Sequence, residues 1–163
     1  MSDTTLTIKN SVKTNRPHRP AFFNPDTLPW TDWVMPGTCF KLLNINELTG
    51  GFTMLLKVDP DVTAPVHHHI GGIEAYVIEG EFGYGADDRG GVGCYALEAG
   101  GSIHEPSSPG GVIMFAVVHG PLVGYKEDGA IAAVIDGRFM YDLAVQNGVA
   151  DHITVANIFT NDD

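Results

Sequence analysis

The chain has 163 residues, enough for one domain with a substantial core, and its 44% hydrophobic and 18% charged composition is that of a globular protein. Nine Lys and Arg against twenty Asp and Glu leave a formal net charge of −11; such a surface repels phosphate backbones and anionic headgroups and argues against nucleic acid or membrane partners. No apolar run reaches the roughly 18 residues of a membrane span, and the amino terminus lacks the apolar stretch of a secretory signal, so a cytoplasmic location is expected.

Residues 1 to 20 are polar and punctuated by proline, an arm rather than core. His18, between Arg16 and Arg19, is expected to be solvated. Trp30 and Trp33 stand three apart and are expected to pack on a sheet or a second subunit, with a substrate wall as the alternative. Residues 38–45 and 52–58 are apolar runs around a turn-rich connector, which predicts a hairpin. A Pro-bounded lead-in, 60–66, precedes three consecutive histidines, His67, His68 and His69. The next stretch alternates around Tyr76 and Ile78, is expected to turn near Glu79-Gly80, and resumes with Phe82 and Tyr84. Residues 86–93 read as a loop. The glycines around it follow no strand-to-helix switch and carry no GK[ST], so they are turn residues rather than a nucleotide loop.

Residues 94–106 predict a strand running into a Gly100-Gly101 bend that delivers His104. Residues 110–120 form a continuous apolar run, expected to be a buried strand, and 121–136 a further hairpin around Glu127-Asp128-Gly129. Only after Asp136 does the period change. Phe139 and Leu143, and Met140 and Ala144, are spaced i,i+4 and closed by Gly148, which predicts one short helix. The tail reads either as a last strand or as an ordered extension. Cys39 and Cys94 are far apart, form no CxxC pair, and read as free thiols. Twenty Gly and ten Pro between short strands indicate an all-β sandwich or barrel. The expected divisions are an arm with an edge strand over 1–35, a β domain over 36–148 and a tail over 149–163.

A divalent transition metal needs donor nitrogens converging at about 2.0–2.1 Å. On a strand, residues i and i+2 share a face while i+1 points away. His67 and His69 are therefore the pair able to share a metal, and His68 faces the other side. A third ligand must come from another strand. His104, at a strand end after the glycine bend, is the best candidate, and His119 its competitor.

These residues resemble the cupin motifs. His67-x-His69 is followed after four residues by Glu74 and after five more by Gly80; the second motif has Gly93, then Ala99-x-Gly101-x-x-His104. Alanine replaces the usual proline, Asp61 stands for the usual glycine before the first histidine, and Ser108 for the asparagine that often closes the second motif. The resemblance implies a cupin double-stranded β-helix, a jelly-roll barrel, with an N-terminal arm and a short C-terminal helix. Over residues 36–148 the chain is further similar to the 2,4'-dihydroxyacetophenone dioxygenases and acetylacetone-cleaving dioxygenases, in the segments around Glu74–Phe82, His104–Gly111 and His119–Ala144.

That likeness implies Fe(II) held by His67, His69 and His104, with Zn, Mn and Ni as alternative metals and Glu74 as a candidate fourth ligand. It also implies a glutamate beside the site, at the place of Glu98, which orients a ligand imidazole or takes a substrate proton. Three neutral imidazoles leave three cis positions open, which suits a chelating enolate and O2. The implied activity is cleavage of a C–C bond next to the ketone of a small aryl hydroxyketone or β-diketone. The pocket candidates are Tyr76, Phe82, Tyr84, Phe115 and Tyr125. The rivals are a Zn or Mn isomerase or lyase on the same scaffold, and a metal-binding sensor module of the ChrR type. A homodimer or higher homo-oligomer is expected.

Overall fold

The computed structural model describes residues 22–155. In chain order its strands are β1 (Thr31–Asp32), β2 (Thr38–Asn46), β3 (Gly51–Val58), β4 (Val62–Thr63), β5 (His67–His69), β6 (Ile73–Gly83) and β7 (Arg89–Gly91). There follow β8 (Tyr95–Glu98), β9 (Ile103–His104), β10 (Ser107–Ser108), β11 (Val112–Val118), β12 (Leu122–Tyr125), β13 (Ile131–Ile135) and the helix α1 (Gly137–Gln146). One sheet runs β1-β2-β3-β11-β6-β10-β4, with β7 and β8 also on β6; the other runs β13-β12-β5-β9. The all-β jelly-roll expected from the sequence is thus the observed fold. No helix among the described residues is long and apolar enough to cross a membrane. The arm before residue 22, His18 included, and the tail after residue 155 lie outside the described residues.

Alternation sets the layers. Ile73, Ala75 and Val77 of β6 face inward, as do Val112, Met114, Ala116 and Val118 of β11. With Phe40, Leu42, Phe52 and Met54 of the β2–β3 hairpin they line the space between the sheets. The 110–120 run is therefore buried on one face only, not on both. Its apolar outer residues, Ile113, Phe115 and Val117, pair with outer residues of β3 and β6.

The turn expected at Glu79-Gly80 is instead a bulge within one eleven-residue strand. Met114 pairs with Val77 and Ile113 with Glu79, so Ile78 is the extra residue. Gly80 makes this bend feasible: its φ is +71°, and a Cβ there would collide with the carbonyl oxygen of Gly111. Beyond the bulge β6 pairs with β7, a short strand inside the stretch expected to be loop. Asp61, where the cupin motif favours glycine, has a left-handed φ of +61°, a conformation that Asp tolerates better than most side chains.

The sheets meet at a corner of paired backbone. Ile70 N donates to Pro121 O (3.0 Å) and His119 N to Gly72 O (3.1 Å). Gly71 and Gly120 lie backbone to backbone there, with no space for a side chain on Gly71. Here β5 leads into β6 and β11 into β12, and the β8–β9 turn at Gly100 packs against Gly71, so three of the links between the sheets meet at one corner.

The helix follows its sequence signals. Asp136 caps it, its carboxylate accepting from Phe139 N at 2.8 Å. Met140 and Ala144, one turn apart, are fully buried against the β2–β3 hairpin, and the Trp33 indole N–H donates to Met140 Sδ (3.1 Å). Trp30 packs under the Lys41 ammonium, 5.0 Å from its ring centre. No strand forms over residues 149–155; the segment docks instead through buried Ile153 and a His152 Nε2 bond to Leu42 O (2.7 Å). Met140→Ala should cost about 2–5 kcal/mol of unfolding free energy, and Asp136→Ala about 1 kcal/mol. Both are read as a lower urea midpoint at unchanged slope.

Candidate metal centre

His67 and His104 are direct cross-strand partners of β5 and β9, and His69 lies two residues beyond His67 on the same face. The tight turn that carries the chain from β8 to β9 closes through Ser102 N to Ala99 O (3.1 Å), and His69 N donates to Ser102 O (3.0 Å). One strand pair and one turn thus bring three imidazoles together, with candidate ligand atoms all within 4.8 Å of one another. His68, between them, points away and bonds through Nδ1 to the Tyr125 hydroxyl at 3.0 Å.

The donor chemistry fits a metal. Both ring nitrogens of His69 and Nε2 of His104 are buried and make no hydrogen bond. An orphaned buried nitrogen costs about 1–3 kcal/mol, and several at one point mark a place for an ion. His67 Nδ1 donates to Pro65 O at 2.8 Å; since a carbonyl only accepts, this bond leaves the lone pair on Nε2. Burial pushes the His67 and His104 pKa values below the ordinary value, and neighbouring imidazoles push the same way. The rings are held neutral, the form that binds metals.

Glu98 ends β8 against this cluster. Its Oε2 stands 2.9 Å from His69 Nε2 and 3.1 Å from His104 Nε2, yet off the direction in which either nitrogen could donate, so it does not satisfy them. The Tyr84 hydroxyl donates to its other oxygen, and the Tyr84 ring lies 4.8 Å from that of His104. Burial acts to raise the Glu98 pKa, but the close His69 imidazole and the Tyr84 hydroxyl outweigh it and hold the carboxyl below its ordinary value. The same burial and the same carboxylate drive the Tyr84 pKa far up, so it stays a donor.

Glu74 requires a correction. It is not part of the histidine group. Inward Ile73 and Ala75 leave Glu74 on the outer face of β6, where it accepts from Tyr95 OH (2.9 Å) and pairs with His119 Nε2 (2.8 Å). His119, the competitor for the third position, is on that outer face too. The pocket candidates divide in the same way. Phe82 is buried and lines a cavity of about 440 Å³, and Tyr125 borders it. Tyr84 is not in the cavity wall, and its hydroxyl donates to Glu98. Tyr76 and Phe115, paired with each other, are about half exposed and a third exposed on the outer face, away from the cavity.

Trp33, for which a substrate wall was the alternative reading, does line the cavity, whereas the sequence reading missed Met54, Leu56, Val112 and Met114 in its wall. Their inward alternation on β3 and β11 was the available signal. The cavity opens onto His67, His69 and Glu98, so the polar centre sits at the side of an otherwise apolar space.

The family model described as the ChrR cupin-like domain matches residues 18–123. No curated protein matches the sequence. Among solved structures the chain is similar to an RmlC-like cupin from Ralstonia eutropha (23% identity, 87% of this chain and 95% of that one, TM-score 0.74). It is also similar to a protein of unknown function with a cupin-like fold from the same organism (20%, 90% and 99%, TM-score 0.75). A third is an acetylacetone dioxygenase from Acinetobacter johnsonii (16%, 85% and 99%, TM-score 0.70). At these identities the structures speak for the fold alone, whereas the family model covers more than half of the chain, and the protein belongs to the ChrR cupin-like family of the cupin superfamily.

Proposed function

We propose that the protein is a metal-dependent dioxygenase, with Fe(II) held by His67, His69 and His104, that cleaves a C–C bond next to the ketone of a small aryl hydroxyketone or β-diketone. The observation that carries this reading is the set of orphaned imidazole nitrogens beside an ionised, buried carboxylate at the wall of an apolar cavity. A bound divalent metal would polarise the ketone oxygen and take part in the electron transfer to O2.

The protein's own residues do the rest. Glu98, ionised and aimed at the histidines, accepts the proton from the carbon beside the carbonyl as substrate becomes an enolate. Tyr84 holds the second carboxylate oxygen and so fixes which oxygen faces substrate. Met54, Leu56, Val112 and Met114 keep the reacting carbon dry, and Phe82 limits the length of its substituent. The likeness in fold to an acetylacetone dioxygenase supports the scaffold for this chemistry.

The family match favours a second reading, a metal-binding sensor module like the ChrR cupin domain for which the family is described. Such a module needs no proton acceptor beside its metal and no apolar cavity, so Glu98 and the cavity weigh toward the enzyme.

Metal titration followed by elemental analysis should give one ion per chain. His67→Ala, His69→Ala and His104→Ala should lose it, while His68→Ala and Glu74→Gln should retain it. Retention by His104→Ala, or loss by Glu74→Gln, overturns the ligand set. With Fe(II) loaded anaerobically, a panel of β-diketones and 2-hydroxyacetophenones should include one that drives O2 uptake above the His104→Ala control. Glu98→Gln should lower that rate by about 100-fold or more while metal stays bound. One tightly held ion with no oxygen uptake on any ketone favours the sensor reading.

A further inference from the structure

The floor of the cavity follows strand register. Inward residues of β3, β11 and β6 fall in rows, and Val118 and Ile73 share the row that also holds Glu98. Met54 lies opposite Ala116 in the next row, Leu56 and Met114 pair in the third, and Val58 and Val112 in the fourth. Beyond Glu98 these rows hold only apolar side chains and glycine. From Val118 to Val112 is about 20 Å of extended strand. At the Val112 end stand Val62 and Ser108, paired on β4 and β10, and buried Phe82. The histidine end is polar and the rest of the space is not.

Three hydroxyls remain in the wall, and each already has a protein partner. Ser108 Oγ donates its one proton to Glu81 O (2.6 Å), Arg89 Nη1 donates to Ser107 Oγ (3.3 Å), and Tyr125 OH pairs with His68 Nδ1 (3.0 Å). Among the described residues no Lys or Arg lines the cavity. A ligand group that is polar away from the histidines is therefore desolvated without a partner, and an anionic one suffers most. Volume adds a second condition. The cavity measures about 440 Å³; at about 30 Å³ for a water-sized group it takes about 15 non-hydrogen atoms, and an acetylacetone-sized diketone leaves about half of it unfilled.

We propose that the ligand is an uncharged ketone with every polar atom at the histidine end and an unbroken apolar body, an aryl ring extended by alkyl, reaching toward Val112. The placing of the ketone rests on the proposed metal centre; the apolar body rests on the wall alone. Short aliphatic diketones underfill the space. Aryl ketones with a hydroxyl or carboxylate on the far side of the ring bring a polar group to a wall that has no partner for it. Selection is thus partly by rejection, through groups left unpaired in the wrong ligand.

The full-length chain is loaded with Zn(II), which has no redox chemistry and leaves a bound ketone intact. It is titrated calorimetrically with acetylacetone, with benzoylacetone, and with benzoylacetone carrying a para-propyl, para-hydroxyl or para-carboxyl group. Each buried methylene tightens binding by about threefold to fourfold, so the para-propyl form should bind best and acetylacetone about 100-fold more weakly or worse. Relative to benzoylacetone, the para-hydroxyl form should lose about 10-fold and the para-carboxyl form about 100-fold. In the metal-free chain the ranking should persist at lower affinity. Val62→Lys sets a cation at the far end and should improve binding of the para-carboxyl form by about 10-fold while weakening the para-propyl form, with circular dichroism unchanged. Acetylacetone binding as tightly as the para-propyl form overturns the proposal, and so does a para-hydroxyl or para-carboxyl form that matches benzoylacetone. The wild-type ranking decides the matter should the variant not fold. The expected ranking without O2 uptake by the Fe(II) form supports this proposal and sinks the dioxygenase reading; uptake with the ranking reversed does the opposite.

Discussion

Everything at the centre of this barrel depends on holding three imidazoles together, one fully buried and two partly so, with ring nitrogens left unpaired. Apolar burial alone would reject such groups. The fold accommodates them because their backbones are fully bonded: β5 is flanked by β12 on one side and β9 on the other, and His69 gains further bonds from the turn before β9. Both ring nitrogens of His69 and Nε2 of His104 are left without partners inside a framework of paired strands. The two sheets, the cavity between them and the placing of Glu98 at a strand end all serve that one condition.

Glu98 and Glu74 illustrate how environment divides the work of similar groups. Both lie on neighbouring strands of one sheet, and both are held below the ordinary carboxyl pKa by hydrogen-bond donors. One faces imidazoles and an apolar cavity, the other water. Only Glu98 lines the cavity, where a lower dielectric magnifies its charge. The chemistry follows from the parity of the strand rather than from the residue type.

Parity also explains what the sequence made legible. The division of His67 and His69 from His68 needed only the two-residue period, and the glycine bend before His104 was visible as a break in an apolar strand. The hairpins and the helix were readable for the same reason, a change in the spacing of apolar residues bounded by turn residues. Glu74 was misplaced because motif spacing suggested a ligand, although Ile73, Ala75 and Val77 already spelled the inward face of its strand. Tyr76 and Phe115 went wrong by the same parity. Phe82, a pocket candidate, does line the cavity, but the strand geometry that puts it there was not readable. An extra residue at Ile78 shifts the phase of β6, and no local preference distinguishes a bulge glycine from a turn glycine until the opposing Gly111 backbone is known. The contact of Tyr84 with Glu98 joins residues from different strands and had no signature in either segment.

The corner at Gly71 and Gly120 has a mechanical consequence. The β5–β6 and β11–β12 links between the sheets are joined there by backbone contact and by hydrogen bonds in each direction. That corner fixes one end of β5, one residue beyond Ile70 and beside His69. The other end is held as well: the β4–β5 and β9–β10 links run through Ala64–Val66 and Pro106, and Ala64 N donates to Pro106 O (3.1 Å). The short strand that carries His67 and His69 is thus anchored by backbone links at both of its ends, and the spacing of the two imidazoles is set by the chain's own crossings rather than by whatever fills the cavity.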